Sequence, residues 1–154
     1  MSEGLRDRLE QMGLRKVGSF ALSSGGQSNI FWDVERLFYY PHWMRIKAIE
    51  EFIWQVGMCK AALLIGIKTV GYDLAKDIGQ ALKIQFLGDH YYCIGKDCPR
   101  TVIVDGVLTT GTTVRKVLGY NTMATHIAVL VNRSNLTEID GIPIVSGIIA
   151  DKVE

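Results

Sequence analysis

Thr101-Val-Ile-Val-Asp-Gly-Val-Leu-Thr-Thr-Gly-Thr-Thr-Val-Arg-Lys-Val-Leu118 is the stretch on which the reading of this chain turns. Four β-prone residues, 101–104, predict a strand. Asp105 ends it in an acidic turn, and Gly106, Val107 and Leu108 form a short link. Four hydroxyls then surround one glycine: Thr109, Thr110, Gly111, Thr112 and Thr113. The apolar spacing turns helical through Val114, Val117 and Leu118, which predicts a helix over 113–119. Gly111 can take positive φ at no steric cost. Successive N–H groups of such a loop converge on one anion, and the helix start behind it adds a positive dipole end. Threonine at a helix start also serves as a cap. Four threonines around one glycine, directly after a strand-terminal carboxylate, exceed what capping requires. The stretch is therefore read as a phosphate site.

Two common phosphate motifs are excluded. No Lys follows Gly111, as a Walker A loop would need. The G-x-G-x-x-G of dinucleotide folds is absent as well. The order of strand, acid and Thr/Gly loop closely resembles the phosphoribosyl-diphosphate (PRPP) signature of type I phosphoribosyltransferases. The resemblance implies that Thr109, Thr110, Gly111, Thr112 and Thr113 hold the 5′-phosphate. It makes Asp105 the catalytic carboxylate, placed on the ribose hydroxyls. The family pattern has two adjacent acids, and Gly106 stands in the second place.

Outward from this stretch, the pattern alternates. Residues 61–65 and 125–131 are continuous apolar runs, the mark of strands buried on both faces. Residues 72–82 read as a helix with Leu74, Ile78 and Ala81 inward. Residues 84–87, 91–94 and 142–149 read as strands. Strand and helix alternate three times between 61 and 131, which predicts a parallel sheet flanked by helices. Ligands of such sheets bind beyond the strand carboxyl ends. The loops at 66–70, 105–113 and 132–134 should therefore share one rim. Upstream, residues 5–12 read as a helix, 17–22 and 29–34 as strands, and 23–28 (SSGGQS) as a loop. Pro41 opens a helix in which Trp43, Ile46, Ile49, Ile53 and Val56 recur at helical spacing. Trp43 and Trp54 are expected to pack.

The resemblance sharpens toward orotate phosphoribosyltransferases and covers most of the chain. Phe20-Ala-Leu-Ser-Ser-Gly-Gly-Gln-Ser28, followed by Ile30, Phe31, Trp32 and Asp33, is similar to the hairpin that forms a hood over the base in that family. It implies a small N-terminal hood over about 17–36 within one domain, 1–154. It puts Phe31, Trp32 and Thr109 beside the base. Adjacent strand residues face opposite ways, so at most one of Phe31 and Trp32 should touch a ligand. Residues 64–75, LIGIKTVGYDLA, resemble the family's short diphosphate loop. Lys68 or the backbone around Thr69 is thereby implied at the diphosphate, although the family's lysine place, directly before Gly71, holds Val70. Arg133, just after the strand at 125–131, matches the arginine that grips the orotate carboxylate; a planar guanidinium suits that task. The family's long basic loop before the PRPP strand is reduced here to about 88–100. Its cations are Lys96 and Arg100, beside His90.

The implied reaction is transfer of ribose 5-phosphate from PRPP to orotate, with release of diphosphate, in pyrimidine nucleotide synthesis. Gly106 and the short loop keep two alternatives open: a catalytically reduced PRPP- or nucleotide-binding regulatory protein, and a transferase for another base. The cofactor implied is Mg²⁺, held mostly by PRPP and water, with no protein metal site and with a homodimer as the assembly. Bulk numbers suit one globular domain. The 154 residues are 48% hydrophobic and 21% charged, with a net charge of +1. So even a balance gives no field for nucleic acid. No apolar run is long enough to span a bilayer, and the charged N-terminus shows no secretory signal, so the expected location is cytoplasmic. Three cysteines, Cys59, Cys93 and Cys98, are expected as reduced thiols.

Overall fold

A computed structural model describes residues 4–21 and 25–150. Leu22, Ser23 and Ser24 of the hairpin motif lie outside the described residues. The elements run in order: α1 (Leu5–Gln11), β1 (Arg15–Ala21), β2 (Gln27–Trp32), a 3-10 helix (Val34–Tyr39), α2 (His42–Ala48), α3 (Glu50–Met58), β3 (Leu63–Gly66), α4 (Val70–Leu82), β4 (Gln85–Gly88), β5 (Thr101–Leu108), α5 (Thr112–Tyr120), β6 (Ala124–Asn132), β7 (Glu138–Ile139) and β8 (Ile142–Ile149).

Six strands form one sheet in the order β4-β3-β5-β6-β8-β7. All its pairings are parallel except β7 with β8. The apolar runs of β3, β5 and β6 explain the arrangement. Their side chains alternate between two layers, as the pleat dictates. Leu64, Val102, Val104, Ala128 and Leu130 pack with Phe52 and Val56 of α3 and with Leu74 and Ile78 of α4. Ile65, Ile103, Ile127 and Val129 pack with Val114 and Val117 of α5 and with Ile139. Burying each such side chain contributes roughly 1.5–3 kcal/mol. Strands β1 and β2 form a separate antiparallel ribbon, where the hood was expected. It is docked through Ile30 and Trp32, which belong to the main core.

Five expectations are corrected. Strand β5 runs on to Leu108, because Asp105, Val107 and Leu108 keep pairing with Val129, Val131 and Asn132; Asp105 lies within the strand, not in a turn. The helix after Pro41 is two helices, broken at Ile49 (φ −105°, ψ 19°). Trp43 and Trp54 are 66% and 68% exposed. Trp43 sits in the first turn of the short α2, and Trp54 is one residue past the inward Ile53, on the outer face. Residues 91–94 contribute only an isolated bridge between Cys93 and Asn121. Finally, Cys93 and Cys98 are disulfide-bonded, leaving Cys59 as the free, buried thiol among the described residues. Their Cα atoms are 5.9 Å apart, well within bonding range. The segment is held there by Cys93 N–H to the Tyr120 carbonyl (2.8 Å) and Gly95 N–H to Thr122 Oγ1 (2.8 Å).

Among the described residues, no helix is long and apolar enough to cross a membrane.

Candidate active site

The parallel strands β3, β5 and β6 deliver their following loops to one edge of the sheet. The first of two adjoining cavities lies there. It measures about 510 Å³ and is lined by Asp105, Val107, Leu108 and the whole run from Thr109 to Val114. Gly111 has φ 83° and ψ 7°, and it is the residue on which α5 begins. That left-handed turn lets the chain reverse from strand to helix while the loop encloses a concavity. Thr110 Oγ1 and Thr112 Oγ1 are 3.1 Å apart across it. Arg115 closes the outer side, its Nη1 donating to the Thr110 carbonyl at 3.0 Å. A hydroxyl-lined loop at the start of a nine-residue helix can accept an anion of phosphate size.

The second cavity, about 330 Å³, shares Asp105 and Val107 with the first. Its remaining walls are Phe31, Trp32, Asp33, Val34 and Glu35 from the ribbon and 3-10 helix, Lys68, Thr69 and Val70 before and at the start of α4, and Gly106. The expected diphosphate loop and the expected hood thus meet over Asp105. Phe31 is 39% exposed and Trp32 only 2%, in keeping with the alternation of β2. The Lys68–Thr69 peptide is cis. Asp33 is held by Lys16 Nζ at 2.7 Å.

Asp105 is the hinge between the cavities. Its Oδ1 accepts the Gly106 N–H at 2.7 Å. Burial pushes its carboxyl up to about 7; the Asp89 carboxylate acts in the same direction, and the Gly106 hydrogen bond opposes both. Asp89 also accepts the Lys68 N–H, at 3.4 Å. Sequence reasoning passed over Asp89, which lies just after β4 on the same rim; its position after a short strand was the available signal.

Gly106 points the other way, toward α4. A Cβ built there would lie 2.9 Å from Val70 Cγ1 and 3.7 Å from Val34 Cγ1. The two places at which the chain departs from the family pattern, Val70 and Gly106, are therefore in contact, and the valine fills the space above the glycine.

Arg133 is placed differently from the other candidates. It is 3% exposed and lines neither cavity. Its Nη1 donates to the Ile30 carbonyl and its Nη2 to Ser28 Oγ, both at 2.9 Å. Ser28 Oγ in turn donates to the Ile30 carbonyl at 2.8 Å. Arg133 thus clasps strand β2 against the end of β6. The short loop's cations are also remote. Arg100 sits before the first residue of β5 and donates to the Cys59 carbonyl at 3.5 Å. The eight residues of β5, at ~3.3 Å each, separate it from the rim. Lys96 belongs to the segment tied to Thr122, at that same far end.

The donor set bears on Mg²⁺, the cofactor implied by the resemblance. Among the described residues, no group of three His, Cys, Asp or Glu could hold a metal. Of the carboxylates at hand, Asp105, Asp89, Asp33 and Glu35, one oxygen of Asp105 is already engaged and Asp33 is paired with Lys16. This fits an ion that keeps its waters and takes most of its ligands from a phosphorylated substrate.

No protein-family model matches the chain, and no curated protein matches it. Solved structures do. A structure of orotate phosphoribosyltransferase from Aeropyrum pernix is 26% identical, with a TM-score of 0.73 over 94% of this chain and 93% of that one. A structure of Leishmania donovani UMP synthase is 21% identical with a TM-score of 0.76; it covers 94% of this chain, which spans only 35% of that longer one. An adenine phosphoribosyltransferase from Thermoanaerobacter pseudethanolicus is 18% identical, with a TM-score of 0.62 over 92% and 99% of the two chains.

Proposed function

Since the chain has the type I phosphoribosyltransferase fold, we propose that it transfers the 5-phosphoribosyl group of PRPP to a ring nitrogen of a nucleobase, releasing diphosphate. The observation that carries the reading is the continuity of the two cavities through Asp105. One takes a phosphate, the other has room for a ring, and a carboxylate stands between them where a ribose would lie.

The 5′-phosphate binds the Thr109–Thr113 loop, receiving hydrogen bonds from its N–H groups and hydroxyls. Asp105 accepts from the ribose hydroxyls. As the bond from C1′ to diphosphate breaks, positive charge builds on the sugar, and an ionised Asp105 stabilises it more than the neutral ground state. Thr69 and Lys68 face the departing diphosphate. Mg²⁺, when bound with PRPP, supplies charge neutralisation there. Phe31 bounds the base, with the buried Trp32 behind it, and the Arg133–Ser28 clasp fixes the ribbon that carries them. Orotate is the acceptor suggested by the sequence resemblance and by the name of the Aeropyrum pernix neighbour; the adenine enzyme among the neighbours supports a different base. Assembly as a homodimer and a cytoplasmic location complete the proposal.

The test is product formation from Mg²⁺ and PRPP with a panel of free bases, read by mass spectrometry. A nucleoside monophosphate matching one base supports the reading. PRPP binding without turnover on any base would favour the regulatory-binding alternative, which the Val70–Gly106 contact makes the second reading.

A further inference from the structure

We infer that the cavity beside Asp105 selects an uncharged, amino-bearing base over one that carries a carboxylate. The inference rests on the transferase reading and concerns its acceptor alone.

The first ground is the charge of the lining. Three carboxylates border the cavity: Asp33, Glu35 and Asp105. Lys68 is the single cationic side chain among the described residues that line it. Lys16 neutralises Asp33 from the side. Glu35 then offsets Lys68, Asp105 adds negative charge as it ionises near pH 7, and Asp89 lies close behind the lysine backbone. An anionic ring would enter a site of its own sign, and like-charge juxtaposition is the usual means of rejecting a partner. An exocyclic amino group, in contrast, offers N–H donors to carboxylates, which are acceptors only when ionised.

The second ground is the position of the one arginine suited to a carboxylate. The guanidinium of Arg133 is buried on Ile30 and Ser28 and lines neither cavity. Presenting it to a ligand would break both bonds and unseat β2.

The third ground is the apolar remainder of the wall. Phe31, Trp32, Val34, Val70 and Val107 surround the polar groups. Val70 occupies the space over Gly106 and closes the floor with methyl groups. A flat, uncharged heterocycle is matched by such a surface, with a few polar groups setting its orientation.

Nucleoside monophosphates isolate the base, because they share phosphate and ribose. Calorimetry on the full chain with AMP, CMP, UMP and orotidine 5′-monophosphate should find AMP or CMP bound at least ~tenfold more tightly than orotidine monophosphate, with UMP between. Glu35, exposed on the 3-10 helix, can be changed without disturbing the core; Glu35→Lys should narrow the gap by ~tenfold. Orotidine monophosphate binding most tightly to the wild type, equal binding of all four, or an undiminished gap in Glu35→Lys would overturn the inference. Ribose 5-phosphate is the control. Should it fail to bind while the protein is folded, the transferase reading falls, and the inference with it.

Discussion

Gly111→Ala perturbs the phosphate loop at its one left-handed residue. At φ 83° a side chain costs about 1–2 kcal/mol relative to glycine. A Cβ there would also stand 2.8 Å from Ile139 Cδ1 and 3.4 Å from Arg115 Nη1. The arginine is a flexible, half-exposed side chain and can withdraw. Ile139 is 1% exposed and packed in the α5 layer, so it yields less easily. The variant can escape by flipping the loop to negative φ, which turns the Thr110–Thr113 N–H groups away from the cavity. The backbone cost alone then lowers the binding-competent population, and with it the apparent affinity for PRPP, by about 5- to 30-fold. Ile139→Val removes the Cδ1 atom. In the double variant the steric part should vanish and the φ part remain. Calorimetry with PRPP and Mg²⁺, beside thermal melts, separates the two contributions. Full PRPP affinity in a folded Gly111→Ala protein would refute the assignment of this loop to the phosphate.

Five further outcomes are expected. Asp105 holds its proton in the folded chain up to about 7, against an ordinary value near 4 when unfolded. Folding therefore takes up a proton between those values, and this group's contribution lowers stability as pH rises through the window; Asp105→Asn should melt higher than wild type at pH 8, with the gain shrinking toward pH 4. PRPP binding, which uses the ionised form, should weaken as pH falls below about 7. Gly106→Asp alone should destabilise by ~1–3 kcal/mol through overlap with Val70; pairing it with Val70→Ala should recover the melt and allow the added carboxylate to raise turnover. Arg133→Ala should loosen the ribbon, seen as faster amide exchange across β1 and β2, whereas a purely ligand-gripping arginine would leave that exchange unchanged. Thiol titration of the unfolded, unreduced chain should count one free thiol, Cys59, instead of three.

The stretch from Thr101 to Leu118 was legible because its information is local. Strand propensity, one carboxylate, a glycine among hydroxyls and an amphipathic helix start each act within a few residues, and together they set the loop. The buried strands β3 and β6 were equally plain as apolar runs, and the parallel sheet followed from their alternation with helices. What the sequence concealed depends on partners distant in the chain. The break at Ile49 has no proline or glycine to announce it. Arg45, on the α2 side of that break, reaches Asp77 of α4 at 2.6 Å. The outward Trp43 and Trp54 follow from that break and from the helix register. The clasp of Arg133 spans over a hundred residues to Ser28 and Ile30. No spacing rule could distinguish it from a ligand-facing arginine. The Cys93–Cys98 bond was missed because an odd cysteine count says nothing of which thiols meet, while the pairing is set by how 93–98 folds onto Tyr120 and Thr122.

The central claim is that this site breaks the bond between C1′ and diphosphate. Phosphorus NMR of the protein with PRPP, Mg²⁺ and a mixture of adenine, cytosine and orotate follows it directly. The PRPP signals should decay while those of free diphosphate and one nucleoside monophosphate grow in equal amounts, and Asp105→Asn should slow the conversion by at least ~100-fold. PRPP that persists unchanged with a folded wild type, or decay at the same rate in Asp105→Asn, would contradict the account.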